Sequence, residues 1–217
     1  MEPASFRQGL RMGLPVVLPT FAIGISFGVL AQPVIGSLAS VLMSVLVFGG
    51  GAQFAALSVL RGGGTAVAAV IAGSLINTRF VAMSLALAPS LRGPRWQRFV
   101  ESQAVVDASF VLANRRDGTF DLTILFATSL LQYVAWGLGT VAGVAIGGAL
   151  SNPDAFGIDA IFPAFFLALL AGELRDRERR VVAALAAAVT LAFMTFAPPG
   201  IPIIAGALAS LWGLRRR

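Results

Sequence analysis

The stretch that decides the fold runs from Met12 to Leu60: MGLPVVLPTFAIGISFGVLAQPVIGSLASVLMSVLVFGGGAQFAALSVL. It holds no charged residue in 49 positions. As helix it would extend ~73 Å, enough to cross a ~30 Å hydrocarbon slab twice. The rest of the 217-residue chain keeps that character, with 57% apolar residues and only 12% charged. A globular domain usually carries about twice that charged share. So few charges cannot cover the surface of a water-soluble fold. The expected class is an all-α integral membrane protein, one polytopic domain over residues 1–217, and a soluble enzyme is excluded.

Absent residues narrow the chemistry further. The chain has no Cys, hence no disulfide, thiolate nucleophile or thiolate metal site. It has no His, hence no Ser-His triad and no HExxH zinc site. No cofactor and no metal are expected. The net charge is +6, and all 16 basic residues are Arg. They sit between apolar runs rather than on one aromatic-rich face, so they read as cytoplasmic anchors and not as a nucleic-acid surface.

Outward from the deciding stretch, the first span is Gly13 to Ala31. With Arg7 and Arg11 ahead of it, it imitates a secretory signal, but its length exceeds a 7–15-residue signal core. The second span is Leu38 to Leu60. After Arg61 and Gly62-Gly63-Gly64, residues 65–91 are apolar except for Asn77-Thr78-Arg79. A short apolar stretch, 99–114, contains Glu101, Gln103 and Asp107. Leu122 to Gly148 is a long span. An acidic loop at 154–159, a short run at 160–172, an arginine-rich loop and two closing helices complete the chain. The total is about seven to eight transmembrane or re-entrant segments, several short or broken.

Charge suggests both termini in the cytoplasm, but two paths remain open in the middle. If 65–91 and 99–114 each cross once, Arg92, Arg95 and Arg98 face outside, against the positive-inside bias. If 65–91 folds back at Asn77–Arg79, all the loop arginines face inside and 99–114 is re-entrant or interfacial. Small residues point to close helix contacts. Gly24 and Gly28 share one helix face, as do Gly139, Gly143 and Gly147. Lipid gives helices no hydrophobic reason to associate, so backbone approach at glycines must help.

The informative residues are the polar ones that burial should exclude. A charged side chain at a helix centre costs roughly 2.5–3.5 kcal/mol on insertion scales, so such residues tend to meet a partner, a cavity or a substrate. Arg79 stands far from other charge and can bind a carboxylate, from a substrate or from Asp107, with Asn77 beside it. Asp107, with Gln103 one helical turn earlier, suits proton coupling. Gln53 lies just after Gly49-Gly50-Gly51, where a loosened helix would free backbone groups, and its amide can take an amino-acid carboxylate or ammonium. Asp159 opens a helix, as an N-cap would. Tyr133 and Trp136 fit ordinary packing or interfacial positions. The expected set is Gln53, Asn77 and Arg79 for substrate and Asp107 for the proton, with Gln103 and Asp159 supporting. The plain alternatives are an interhelical hydrogen bond for Gln53, a structural ion pair for Arg79 and a solvated Asp107.

Five stretches in order, PVVLPTFAIGISFGVLA (15–31), FGGGAQFAAL (48–57), Asn77-Thr78-Arg79 with Met83 to Pro89, WGLGTVAG (136–143) and GIDAIFPAFFLALL (157–170), resemble the AzlC family. The resemblance covers nearly the whole chain. It implies the large subunit of a two-component branched-chain amino-acid exporter of a bacterial inner membrane. An AzlD-like small membrane subunit would be its partner. Leu, Ile and Val, extending to Met, would leave the cell at the expense of the proton motive force. Two positions depart from the family pattern: Phe80 stands where His often follows the Arg, and Ala108 where Glu often follows the Asp. The rival function is a non-transporting scaffold or sensor subunit whose polar residues join helices. An intramembrane enzyme has little to work with, lacking His, Cys and Lys.

Overall fold

The computed structural model describes residues 5–91, 93–115, 117–148, 157, 160, 164, 167, 170, 171, 174, 176–197 and 201–210. Among these the chain is helical, with an isolated bridge between Asn114 and Phe120. The helices are α1 (Phe6–Ile35), α2 (Ser37–Val47), α3 (Gly50–Arg61), α4 (Ala66–Leu87), α5 (Arg95–Ser102), α6 (Asp107–Ala113), α7 (Leu122–Gly147), α8 (Arg177–Met194) and α9 (Ile201–Ser210). By length and apolar character, α1, α4 with the 3-10 turn that follows it, and α7 can each cross a bilayer. They group into two compact units, one of Met1–Gly50 with Asn77–Ser151 and one of Gly51–Ile76 with Asn152–Arg217.

The first unit is built on the pair α1 and α7. Ser5 caps α1, its hydroxyl accepting from the Gln8 N–H at 3.2 Å. Pro15, Pro19 and Pro33 lie within α1, yet the helix continues to Gly36, whose φ of 83° ends it. Asp121 caps α7 by accepting from the N–H groups of Thr123 and Ile124 at 3.0 and 3.2 Å. The same carboxylate is paired with Arg115. The two helices run parallel. Gly9 lies against Ile124 and Ala127, Gly24 against Trp136 and Gly139, and Gly28 against Thr140 and Val144. A Cβ on Gly24 would sit 2.8 Å from the Trp136 carbonyl oxygen, and one on Gly147 would sit 3.2 Å from the Val29 Cα. The glycines expected to pack therefore do so, backbone against backbone.

The expected second span, Leu38 to Leu60, is two helices instead of one. Phe48 takes the left-handed conformation (φ 39°, ψ 49°) and ends α2. None of Gly49, Gly50 and Gly51 takes a positive φ, and Gly50, already the first residue of α3, leaves room for the Trp136 ring, which an added Cβ would meet at 2.8 Å. α2 runs against α7, with Ser44 level with Thr140 at 2.8 Å and the Phe48 ring 5.0 Å from that of Tyr133. Its end therefore reaches only about the midpoint of α7.

The fold-back considered at Asn77–Arg79 does not occur, since α4 is continuous through those residues. Its C-terminal end packs near the start of α1 and of α7, where Leu87, Leu91, Phe120, Ile124 and Leu125 form a core with Met12 against it. The Ser90 hydroxyl accepts from the Phe120 N–H at 3.0 Å. Arg7, Arg11, Arg95, Arg98 and Arg115 thus gather around one end of this unit without a bend in α4. Residues 99–114 are not one segment either. The chain turns between α5 and α6, where the Ser109 hydroxyl donates to the Ala104 carbonyl at 2.8 Å and accepts from the Val106 N–H at 3.0 Å.

In the second unit, α3 packs on the first half of α4, where a Cβ on Gly73 would lie 3.1 Å from the Ala52 carbonyl oxygen. α8 and α9 pair through Gly206, which lies against Ala186 and Thr190.

Candidate functional site

The first unit contains a cavity of about 850 Å³, within the usual range of small-molecule sites. α4 offers it one face, Asn77, Phe80, Val81, Ser84 and Leu85, the i, i+3, i+4, i+7, i+8 spacing of a helix. The end of α2 (Val45 to Phe48), the α5–α6 turn (Ser102 to Val105) and Phe126, Ser129, Leu130 and Tyr133 of α7 supply the other walls. Most of these side chains are apolar and none is charged. The polar groups are Asn77, Ser84, Ser102, Gln103, Ser129 and Tyr133. Tyr133 is tied to the break, its hydroxyl donating to the Val45 carbonyl at 3.0 Å. Asn77 is different: its Oδ1 is buried with no hydrogen-bond partner among the described residues.

Arg79 lies two residues beyond Asn77 and off the cavity face of α4. Its guanidinium is paired with Asp107 at 2.9 Å, the side chains being 33% and 55% exposed. The guanidinium carbon also lies 5.0 Å from the centre of the Phe80 ring. Phe80 itself lines the cavity, so the aromatic residue at this position bridges the ion pair and the cavity wall. The Arg79 Nε is buried without a hydrogen-bond partner among the described residues. The pairing neutralises two charges that would each be costly in lipid.

The expected residues thus divide. Asn77 and Gln103 line the cavity, and Arg79 and Asp107 meet each other beside it. Asp107 and Gln103 do not share a helix face, which corrects the spacing argument. Gln103 closes α5, and Asp107 stands in the first turn of α6. Asp107 is also half-exposed rather than buried. Gln53 is fully buried on α3 in the second unit. Asp159 lies outside the described residues. Trp136 is a packing residue, its indole N–H donating to Ser44 at 3.1 Å and its ring stacked near Phe27.

Two features escaped the sequence reading. Glu101 has a buried Oε2 without a hydrogen-bond partner among the described residues, while its Oε1 accepts from the Gln97 amide at 2.9 Å. The i, i+4 spacing of Gln97 and Glu101 could have signalled that pair. The cavity walls from α2 and α7 had no charged residue to reveal them.

A family model described as AzlC protein matches residues 15–150. An uncharacterised membrane protein of Archaeoglobus fulgidus is 30% identical, covering 96% of this chain and 93% of its own length. Inner membrane protein YgaZ of Escherichia coli is 28% identical over 94% of this chain and 86% of its own. The branched-chain amino acid transport protein AzlC of Bacillus subtilis is 25% identical over 76% of this chain and 66% of its own. No solved structure matches. The apolar helices and the membrane-protein relatives agree with the family match, and the chain belongs to the AzlC protein family.

Proposed function

We propose that this chain is the large subunit of a secondary transporter that exports branched-chain amino acids across the bacterial inner membrane, coupled to protons and working with an AzlD-like small subunit. The observation that carries the reading is the Arg79–Asp107 pair standing beside an uncharged, mostly apolar cavity. The Bacillus subtilis relative's name supports the substrate class. Both termini, and the arginine-rich end of the first unit, would face the cytoplasm.

In this scheme Asp107 exchanges one state for another. Ionised, it holds Arg79. Protonated, it releases a guanidinium one residue away from the cavity wall, free for the substrate carboxylate. Asn77 adds an amide donor to that carboxylate. Phe80, Val81, Leu85 and Phe126 accept the aliphatic side chain, since burying apolar area is the only strong attraction such a group offers. The test is leucine efflux from preloaded vesicles containing the chain and its small partner. Asp107→Asn should still pass leucine down its own gradient but lose the response to an imposed proton gradient. Full gradient-driven efflux by that variant removes the coupling role.

A second reading draws on the same pair. Arg79 and Asp107 satisfy each other within the protein, as a helix-joining contact in a scaffold or sensor subunit would. That reading requires that no branched-chain amino acid raise the thermal stability of the purified complex.

A further inference from the structure

The described groups around the cavity carry no negative side chain, but they carry a backbone substitute for one. α2 stops at Phe48, near the midpoint of α7. The last turn of any helix leaves its carbonyls without intrahelical donors and concentrates about half a negative charge there. Here that turn, Val45 to Val47, is part of the cavity wall. The Tyr133 hydroxyl already donates to the Val45 carbonyl. Across the same cavity stands Asn77, whose buried Oδ1 is an acceptor without a donor among the described residues. A buried acceptor left so carries an uncompensated desolvation cost.

The geometry points to an ammonium subsite in this cavity, formed by the carbonyl end of α2 and the Asn77 Oδ1, that takes the primary amine of an aliphatic amino acid. It rests on the transport reading and adds what recognises the cationic end of the cargo. Primary ammonium is the fitting chemistry because it brings three N–H donors and a compact positive charge. Acceptors in the wall of an uncharged cavity favour it over a carboxylate, which would be repelled by the helix end. The Asn77 amide nitrogen remains a donor, so one side chain can stand between the two ends of a zwitterion. Half-helix carbonyl ends serve cations in other carriers on the same physical ground.

The experiment is equilibrium binding to the full chain in lipid nanodiscs, followed by calorimetry and by thermal stability. Four probes of one carbon skeleton are used: leucine, 3-methylbutan-1-amine, 4-methylpentanoate and the N,N,N-trimethyl form of the amine. The amine should bind within about tenfold of leucine. The carboxylate and the trimethyl cation, which has the charge but no N–H donors, should each bind at least tenfold more weakly. Asn77→Leu should weaken the amine at least tenfold. Asn77→Asp, which keeps the side-chain volume and so guards against a mere folding defect, should tighten it by a similar factor. The inference is overturned if the amine does not bind, if 4-methylpentanoate binds as well as the amine, or if Asn77→Asp leaves the amine unchanged. Leucine efflux in vesicles is scored separately. Its loss with amine binding intact overturns export and leaves the subsite standing. Efflux without amine binding does the reverse.

Discussion

Gly28→Ala adds one methyl group where α1 and α7 touch. Its Cβ would lie 2.8 Å from the Val144 amide nitrogen and 3.0 Å from the Gly143 carbonyl carbon, with the Thr140 carbonyl oxygen also in its way. All three are backbone atoms and cannot rotate aside. Restoring ordinary contact of ~3.4 Å with all three requires α1 and α7 to separate by roughly 1 Å at that point. Over-filling a packed interior by such an amount costs typically 1–3 kcal/mol. At roughly 2–4 °C per kcal/mol for a chain of this size, the midpoint should fall by about 2–12 °C. Gly137→Ala is the matched control. It lies on the same helix α7, but nothing stands within 4 Å of its added Cβ. Replacing glycine in a helix interior gains up to about 1 kcal/mol of intrinsic propensity, so this variant should be neutral or slightly more stable. The assay is the temperature at which half the purified protein survives as a monodisperse peak on size exclusion. Equal midpoints for the two variants would refute the claim that glycine contacts hold α1 to α7.

Two further outcomes follow from the Arg115–Asp121 region. Asp121→Ala removes both the cap of α7 and the partner of Arg115, and should cost about 1–3 kcal/mol in the same thermal assay. Asp121→Asn, which keeps the capping oxygen, should recover part of it. At Asp117 the Thr119 hydroxyl donates at 2.6 Å and the Thr119 N–H at 2.9 Å, and these hold its carboxyl below the ordinary carboxylate range. A lowered folded-state pKa makes the associated stability present above the unfolded value and lost as pH falls through the folded one. Hydrogen exchange at the Thr119 amide should therefore stay protected at pH 5, once the intrinsic pH dependence is removed. Protection should weaken only on acidification below the usual Asp value of about 3.9.

The glycine contacts were legible because spacing of four on a helix is visible in sequence and its cause is simple. The break at Phe48 was half legible: three glycines marked a loosened place, but nothing in a phenylalanine announces a left-handed backbone. The turn between α5 and α6 was hidden. It depends on Ser109, whose hydroxyl serves the Val106 N–H from inside the next helix, while Val106 is no capping type. Without that signal Gln103 and Asp107 looked like neighbours on one helix. Arg79 and Asp107 were each legible as costly charges in apolar runs, and their pairing was one of the stated possibilities. The cavity was not legible, because four separate stretches wall it and only tertiary packing brings them together.

The prolines of α1 have a mechanical consequence. Pro15, Pro19 and Pro33 supply no N–H, so the carbonyls of Arg11, Pro15 and Val29 lose their usual in-helix donors. Between those positions Gly24 and Gly28 press the helix onto α7. Gly9 and Gly13 hold it to the same helix near its start as well. The result is a beam clamped at two places, slackest between them at Pro15 and Pro19 and again beyond Gly28 at Pro33.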